Sequence, residues 1–375
     1  MTSNTRTHTT QHPHPILVCG FGIIGLTTSI RLLQAGHSVI AVASHLPSDP
    51  LSPYYASTAA GAHHLSFAAD GDERQRRLDR RTFDVMWEEE EEEGDGSGLM
   101  RVTQREFYGS EGERHVQFFE GLPDFKVYET NELPPFAKHA VSFTSLTMDP
   151  PAYLSKLVSL FTALGGVIHR ATLPSLASAL QFAPSARAII NCTALGSRTL
   201  TDVNDMEMYP VRGQVVVLRA PWIREGRTKQ VGSLEGGEGG ERTYIIPRRS
   251  GEVVIGGTRE VDDWCSCVLC CVFRTPDPRP ETSQDIKQRA LAIFPELVPP
   301  DARVAGQTPQ PEDLDEIVVR DVVGLRPARR GGLRLERGDD LVLGVPIIHN
   351  VGHSGAGWQS CWGCAEEVVR LVEVL

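Results

Sequence analysis

A chain of 375 residues with a formal net charge of −11 has room for two domains, or one large α/β domain with a second lobe. The excess of acids argues against nucleic acid as the main partner, because phosphate binding needs a basic surface. No run of roughly eighteen apolar residues offers a membrane span, and 41% hydrophobic with 23% charged residues is ordinary for a globular chain.

Residues 1–14 are polar and lack an apolar centre, so they read as a disordered leader rather than a secretory signal. Without such a signal, the eight cysteines read as reduced thiols rather than a disulfide framework. "PILVCG" at 15–20 is a short apolar strand, and "IIGLTTSIRLLQAG" has apolar residues at helical spacing and stops at Gly36. "HSVIAVAS" is a second strand. The three make a βαβ unit and imply a parallel sheet.

The turn inside that unit reads Gly20-x-Gly22-x-x-Gly25. The first glycine permits a tight turn, the second lets backbone approach a pyrophosphate, and the third lets helix pack on strand. The helix amino end then offers N–H groups and a positive dipole to phosphates. The second strand ends Val42-Ala43-Ser44, where an acid usually holds the adenosine ribose. A serine can hydrogen-bond a ribose, but this loop alone leaves NAD and FAD both open.

The acidic run at 88–98, "EEEEEEGDGSG", repels itself and reads as a solvated loop. Residues 149–166 form a helix begun by prolines and stopped by glycines, and 186–197 form a buried strand with a turn. "PVRGQVVVL" and "TYIIPRRSGEVVIGGT" look like antiparallel strands, with "GGEGGE" at 236–241 a flexible loop before the second. "CSCVLCCVF" at 265–273 fits no element and reads as an insertion. "QDIKQRALAIFPEL" is a helix, and an amphipathic helix closes the chain. Cys267/Cys270 and Cys361/Cys364 have CxxC spacing, but no histidine at ligand spacing accompanies them, so no metal site is expected. Cys361 and Cys364 fall on one helix face as small core residues.

Seven segments in order, "GFGIIGL", "STAAGAHH", "IINCTALGS", "RTYIIPR", "IGGTREVDDW", "VGLRPARRGG" and "IHNVGHSGAGWQSCWG", resemble the D-amino acid oxidase and D-aspartate oxidase family. The resemblance implies an α/β protein, with an FAD-binding Rossmann-like domain of glutathione-reductase type interleaved with an antiparallel-sheet substrate domain. The expected boundaries are 15–70, 149–200 and 300–375 for the cofactor domain, and 71–148 and 201–299 for the substrate domain. The implied partners are FAD, a small D-amino acid and oxygen, with neither nucleic acid nor membrane. The implied products are a 2-oxo acid, ammonia and hydrogen peroxide, after hydride transfer from Cα to flavin N5. A homodimer and a peroxisomal location are implied as well. The chain ends Val372-Glu373-Val374-Leu375 rather than in a Ser-Lys-Leu-type address, so a cytoplasmic location is the alternative.

Residue by residue, the resemblance places Arg326 and Tyr244 on the substrate α-carboxylate, where a planar guanidinium can grip bidentately, and the Gly355 carbonyl on the amine. It places Gly20, Phe21, Gly22, Ile23, Ile24, Gly25, Ala43, Ser44, Ser57, Thr58, Ala60, Gly61 and Thr172 against the cofactor. Gly352, Ser354, Gly355, Ala356, Gly357, Trp358 and Gln359 form the turn that aims the last helix at the flavin ring. After "GGT", oxidases of neutral D-amino acids have an uncharged residue. Here Arg259 stands as in D-aspartate oxidases, and a substrate side-chain carboxylate would pair with it. His64 is expected to support that carboxylate, with His63 the lesser candidate. The competing reading for Arg259 is a salt bridge to Glu260, Asp262 or Asp263. Two other classes remain open, a nicotinamide-dependent dehydrogenase and a catalytically inactive flavin-binding scaffold. The runner-up activity is a broad oxidase of neutral D-amino acids.

Overall fold

The computed structural model describes residues 14–232, 240–264 and 277–375, so the leader short of its last residue, most of the 236–241 loop and the cysteine-rich stretch lie outside the described residues. In chain order the strands and helices are β1 (Ile16–Cys19), α1 (Ile23–Gln34), β2 (Val39–Ala43), α2 (Ala56–Ala59), α3 (Glu73–Glu93), β3 (Leu99–Tyr108), β4 (Lys126–Val127), β5 (His139–Met148), α4 (Pro150–Ala163), β6 (Val167–Arg170) and β7 (Ala188–Asn191). Then come β8 (Met208–Arg219), β9 (Glu225–Val231), β10 (Glu241–Pro247), β11 (Glu252–Gly256), β12 (Glu260–Val261), α5 (Pro280–Ile293), β13 (Val318–Arg329), β14 (Arg334–Val342), β15 (Val345–Val351) and α6 (Gly357–Glu373).

Two sheets result. The first has the order β14-β15-β7-β1-β2-β6 and is parallel except for the β14–β15 hairpin. All four residues of β1 are buried, as a strand covered on both faces requires. The second sheet has the order β12-β8-β11-β10-β9-β3-β5-β4, with β13 also paired to β8. It is antiparallel apart from the β3–β9 pair.

The sheets divide the chain differently from the sequence boundaries. β13, within 300–375, pairs with β8 from Val318 to Arg329 and so belongs to the second sheet. α3, within 71–148, packs on α6. There a Cβ on Gly363 would lie 2.3 Å from the Leu78 carbonyl oxygen, and Thr82 Oγ1 accepts from Gly363 N at 3.0 Å. Glycine is what lets the two helices cross this closely.

The glutamates of the run, 88–93, are the tail of α3 rather than a loop, with Gly94–Ser97 a short 3-10 turn after them, and Glu88 and Glu91 to Glu93 are exposed. Its charges are met by residues distant in sequence. Tyr153 donates to Glu89 at 2.7 Å, and Lys156 pairs with Glu89 and Glu93. Glu90 takes Arg101 and Arg249, each at 2.7 Å. Like charges therefore do not unfold the helix, because α4, β3 and the turn after β10 bring it counter-ions.

Candidate active site

A cavity of about 1330 Å³ runs from the carboxyl ends of β1 and β2 to the face of the second sheet. That exceeds the roughly 300–1,000 Å³ of a drug-sized ligand site and leaves room for a dinucleotide together with a substrate.

At one end lies the glycine loop. Gly20 has φ +101°, and a Cβ there would fall 2.3 Å from the Cys192 carbonyl oxygen. A Cβ on Gly22 would lie 2.9 Å from Ser57 Oγ, which accepts from Ile23 N at 2.9 Å. Tyr55 Oη donates to the Phe21 carbonyl at 2.7 Å, and Trp358 Nε1 donates to the Ser57 carbonyl at 3.2 Å. The segment around Ser57 is thus pinned between the amino ends of α1 and α6, and both ends face the cavity. At the end of β2, Ser44 Oγ shares a hydrogen bond with His45 Nδ1 at 2.9 Å, and both residues line the cavity.

The named cofactor positions line this cavity with two exceptions. Gly25 packs inward instead, where a Cβ would lie 2.0 Å from the Gly20 carbonyl oxygen. Thr58 turns its hydroxyl to the Tyr55 carbonyl at 3.2 Å. Four buried polar atoms on cavity-lining residues have no hydrogen-bond partner: His63 Nε2, Asn350 Oδ1, His353 Nε2 and Gln359 Oε1. Orphaned buried polar atoms are costly unless a ligand or water meets them. Together with the glycine-cleared loop and the two helix amino ends, they fit a large polar cofactor.

At the other end, glycines clear room for the substrate-side residues. A Cβ on Gly213 would lie 2.3 Å from Arg326 Nη1, and Cβ atoms on Gly256 and Gly257 would lie 2.6 and 2.4 Å from Tyr244 Oη. The Gly-Gly pair at the end of β11 is therefore a close approach to the Tyr244 ring. Arg326 Nη1 donates to the Thr258 carbonyl at 3.1 Å. The turn before α6 is tied to β13 by Ser354 N donating to the Pro327 carbonyl at 2.9 Å. This sets Gly355 beside Arg326, with 3.5 Å from a Gly355 Cβ to Arg326 Cδ.

Arg259 lines the same cavity and is open to its solvent. Its acidic neighbours are all engaged elsewhere. Glu260 pairs with Arg212 and Arg279, Asp263 with Arg279, and Asp262 with Arg330. Among the described residues Arg259 has no hydrogen-bond or ionic partner, which rules out the salt-bridge reading. Burial, and after it the Arg326 guanidinium, hold the Arg259 pKa below its ordinary value. Two neighbouring cations with no intervening anion among the described residues could accept a ligand with two carboxylates.

His64 does not reach this site. It is fully buried outside the cavity lining, with Nε2 3.1 Å from the carbonyl oxygens of Asp79 and Gln359 and its ring against Phe83 and Phe118. Burial lowers its pKa to about 4, so it is a neutral wedge between α3 and α6. His63 is the one of the pair that lines the cavity. Burial first, then Arg242 and His64, lower its pKa to about 3 and keep it neutral. Arg242 also lines the cavity and was not singled out in the sequence. The signal was there, since Arg242 and Tyr244 are alternate residues of β10 and share a face.

The described residues contain no group of three or more metal-ligating side chains, and Cys361 and Cys364 are buried free thiols. No described helix is long and apolar enough to cross a membrane.

This is the architecture of a dinucleotide-dependent oxidoreductase. Residues 15–371 match the family described as FAD dependent oxidoreductase. A D-aspartate oxidase of Cryptococcus neoformans var. grubii is 46% identical over 391 residues, covering 95% of this chain and 96% of that one. A D-amino-acid oxidase of Fusarium vanettenii is 31% identical over 373 residues, covering 96% of both. Among solved structures, glycine oxidase from Geobacillus kaustophilus shares the fold, with a TM-score of 0.71 at 17% identity over 96% of this chain and 95% of that one. The chain belongs to the FAD-dependent oxidoreductase family that includes the D-amino-acid oxidases, and FAD is its cofactor.

Proposed function

We propose that this protein oxidises acidic D-amino acids, D-aspartate foremost and D-glutamate second, to 2-oxo acids, ammonia and hydrogen peroxide. The observation that carries the reading is Arg259, a cavity-lining guanidinium beside Arg326 with no anion of its own among the described residues. The name of the Cryptococcus relative points the same way.

Bound FAD supplies the acceptor for the hydride that leaves Cα, and oxygen takes those electrons on as hydrogen peroxide. The chain's own part is orientation. Arg326 and Tyr244 hold the α-carboxylate, the Gly355 carbonyl accepts from the amine, and Arg259 takes the side-chain carboxylate. Three fixed substituents leave the Cα hydrogen a single direction, and the L-enantiomer would present it to the opposite side. Glu241 is the one carboxylate among the described lining residues, and it is exposed at the start of β10. On this reading the substrate reacts with its amine neutral, and the protein's part is to orient it. Water then hydrolyses the released imine.

A peroxide assay over acidic, neutral and basic D-amino acids tests the reading. The highest kcat/KM is expected for D-aspartate. Faster turnover of D-alanine or D-methionine would replace it with a broad oxidase of neutral D-amino acids. Family resemblance also supports a homodimer and a peroxisomal location, which sedimentation of the purified protein and fractionation of the cell would test.

A further inference from the structure

The cavity is positive inside an acidic protein. Against a chain charge of −11, the described lining residues include five arginines, Arg114, Arg242, Arg259, Arg289 and Arg326, and one acid, Glu241. All five lie at the substrate end, none at the glycine loop. Arg242 is neutralised by buried Glu106 at 2.8 Å, and Arg289 by Asp285 at 2.8 Å. Arg326 and Arg259 face the reacting substrate. Arg114 is left over.

Arg114 is exposed yet lines the cavity, as does Phe67 at 49% exposure, so these residues mark where the substrate end opens. Its guanidinium donates to the neighbouring Glu113 carbonyl at 2.7 Å and has no carboxylate partner among the described residues. Of the nearby acids, Glu113 accepts from Ser110 N at 2.9 Å with one oxygen and has the other buried without a partner, Glu111 pairs with Lys138, and Glu120 lies 3.2 Å from His115, and none of them is within ion-pair reach of Arg114. A cation without an ion-pair partner at the mouth of a low-dielectric cleft can attract anions into it.

We propose that Arg114 is a capture residue, which speeds entry of net-anionic amino acids without touching them in the reacting complex. The proposal rests on the acidic-substrate reading above. Capture depends on charge rather than on bond geometry, so it should appear in kcat/KM and not in kcat, and salt should remove it.

The test is the kcat/KM of FAD-loaded Arg114→Gln and Arg114→Lys for D-aspartate and D-alanine, from low ionic strength to about 0.5 M salt. The glutamine variant should lose roughly two- to fivefold for D-aspartate at low salt and merge with wild type at high salt. The lysine variant should keep the wild-type rate, and D-alanine, with no net charge, should be unaffected. A loss shared equally by D-alanine, a loss insensitive to salt, or no loss would overturn the capture role. So would a lysine variant as slow as the glutamine one. Wild-type preference for D-alanine would instead overturn the acidic-substrate reading, and the proposal with it.

Discussion

Replacing Arg259 by methionine keeps most of the side chain's bulk and removes its charge. A hydrogen bond to a charged group contributes roughly 1.5–3 kcal/mol. Arg259 is open to cavity solvent, so the lower part of that range applies, about 1–2 kcal/mol after screening. The kcat/KM for D-aspartate should then fall roughly five- to thirtyfold. D-methionine should move the other way. It leaves the wild-type guanidinium unpaired, and an uncharged side chain at position 259 removes that cost. The α-carboxylate contact proposed for Arg326 is common to both, so the ratio of the two kcat/KM values isolates the side-chain contact. Oxygen uptake on FAD-loaded protein measures it. A ratio unchanged by the substitution would show that Arg259 does not meet the substrate side chain.

Three further outcomes are expected. Gly22→Val should yield mostly apo protein by flavin absorbance, because a Cβ at Gly22 already lies 2.9 Å from Ser57 Oγ and would push the cofactor backbone contact apart. Arg326→Ala should lower kcat/KM for every D-amino acid by about 2–5 kcal/mol of transition-state binding, whereas a loss confined to acidic substrates would remove it from the α-carboxylate. Burial raises the pKa of Asp79 from 3.8 to about 7, against the opposing hydrogen bonds from Ser66 and Gln75. Folding therefore favours the protonated acid. That contribution is complete below about pH 4 and is lost as pH rises towards 7. Asp79→Asn should raise the melting temperature at pH 8, by a stability gain on the order of 2–4 kcal/mol, and change it little at pH 4.

Much of the first sheet was legible because β1, α1 and β2 carry their periodicities and turn glycines in one continuous stretch. The glycine loop and the turn before α6 were legible for the same reason, since a helix amino end aimed at a ligand needs small residues at fixed offsets. What failed in the sequence depended on contacts between distant residues. The run after Trp87 carries only like charges locally, and its counter-ions Arg101, Lys156 and Arg249 come from three other elements. Composition could not show that they converge. His63 and His64 lie in an irregular segment, where no period of two or 3.6 assigns a face. The bridge from His63 to Thr147 in β5 turns His63 to the cavity and leaves His64 inside. β13 fell within the 300–375 segment expected for the cofactor domain, yet its long pairing with β8 is what carries Arg326 across to Tyr244 and Gly355. The three acids that follow Arg259 made a local salt bridge plausible, and only Arg212, Arg279 and Arg330, brought from elsewhere, show it to be absent.

On the proposed reading, paired guanidiniums hold a dicarboxylate D-amino acid for hydride loss. Anaerobic mixing of the yellow, FAD-loaded protein with substrate tests it without oxygen chemistry or product hydrolysis. D-aspartate should bleach the flavin faster than D-alanine at equal concentration, and L-aspartate should leave it oxidised. Faster bleaching by D-alanine, or equal bleaching by the two enantiomers of aspartate, would contradict it.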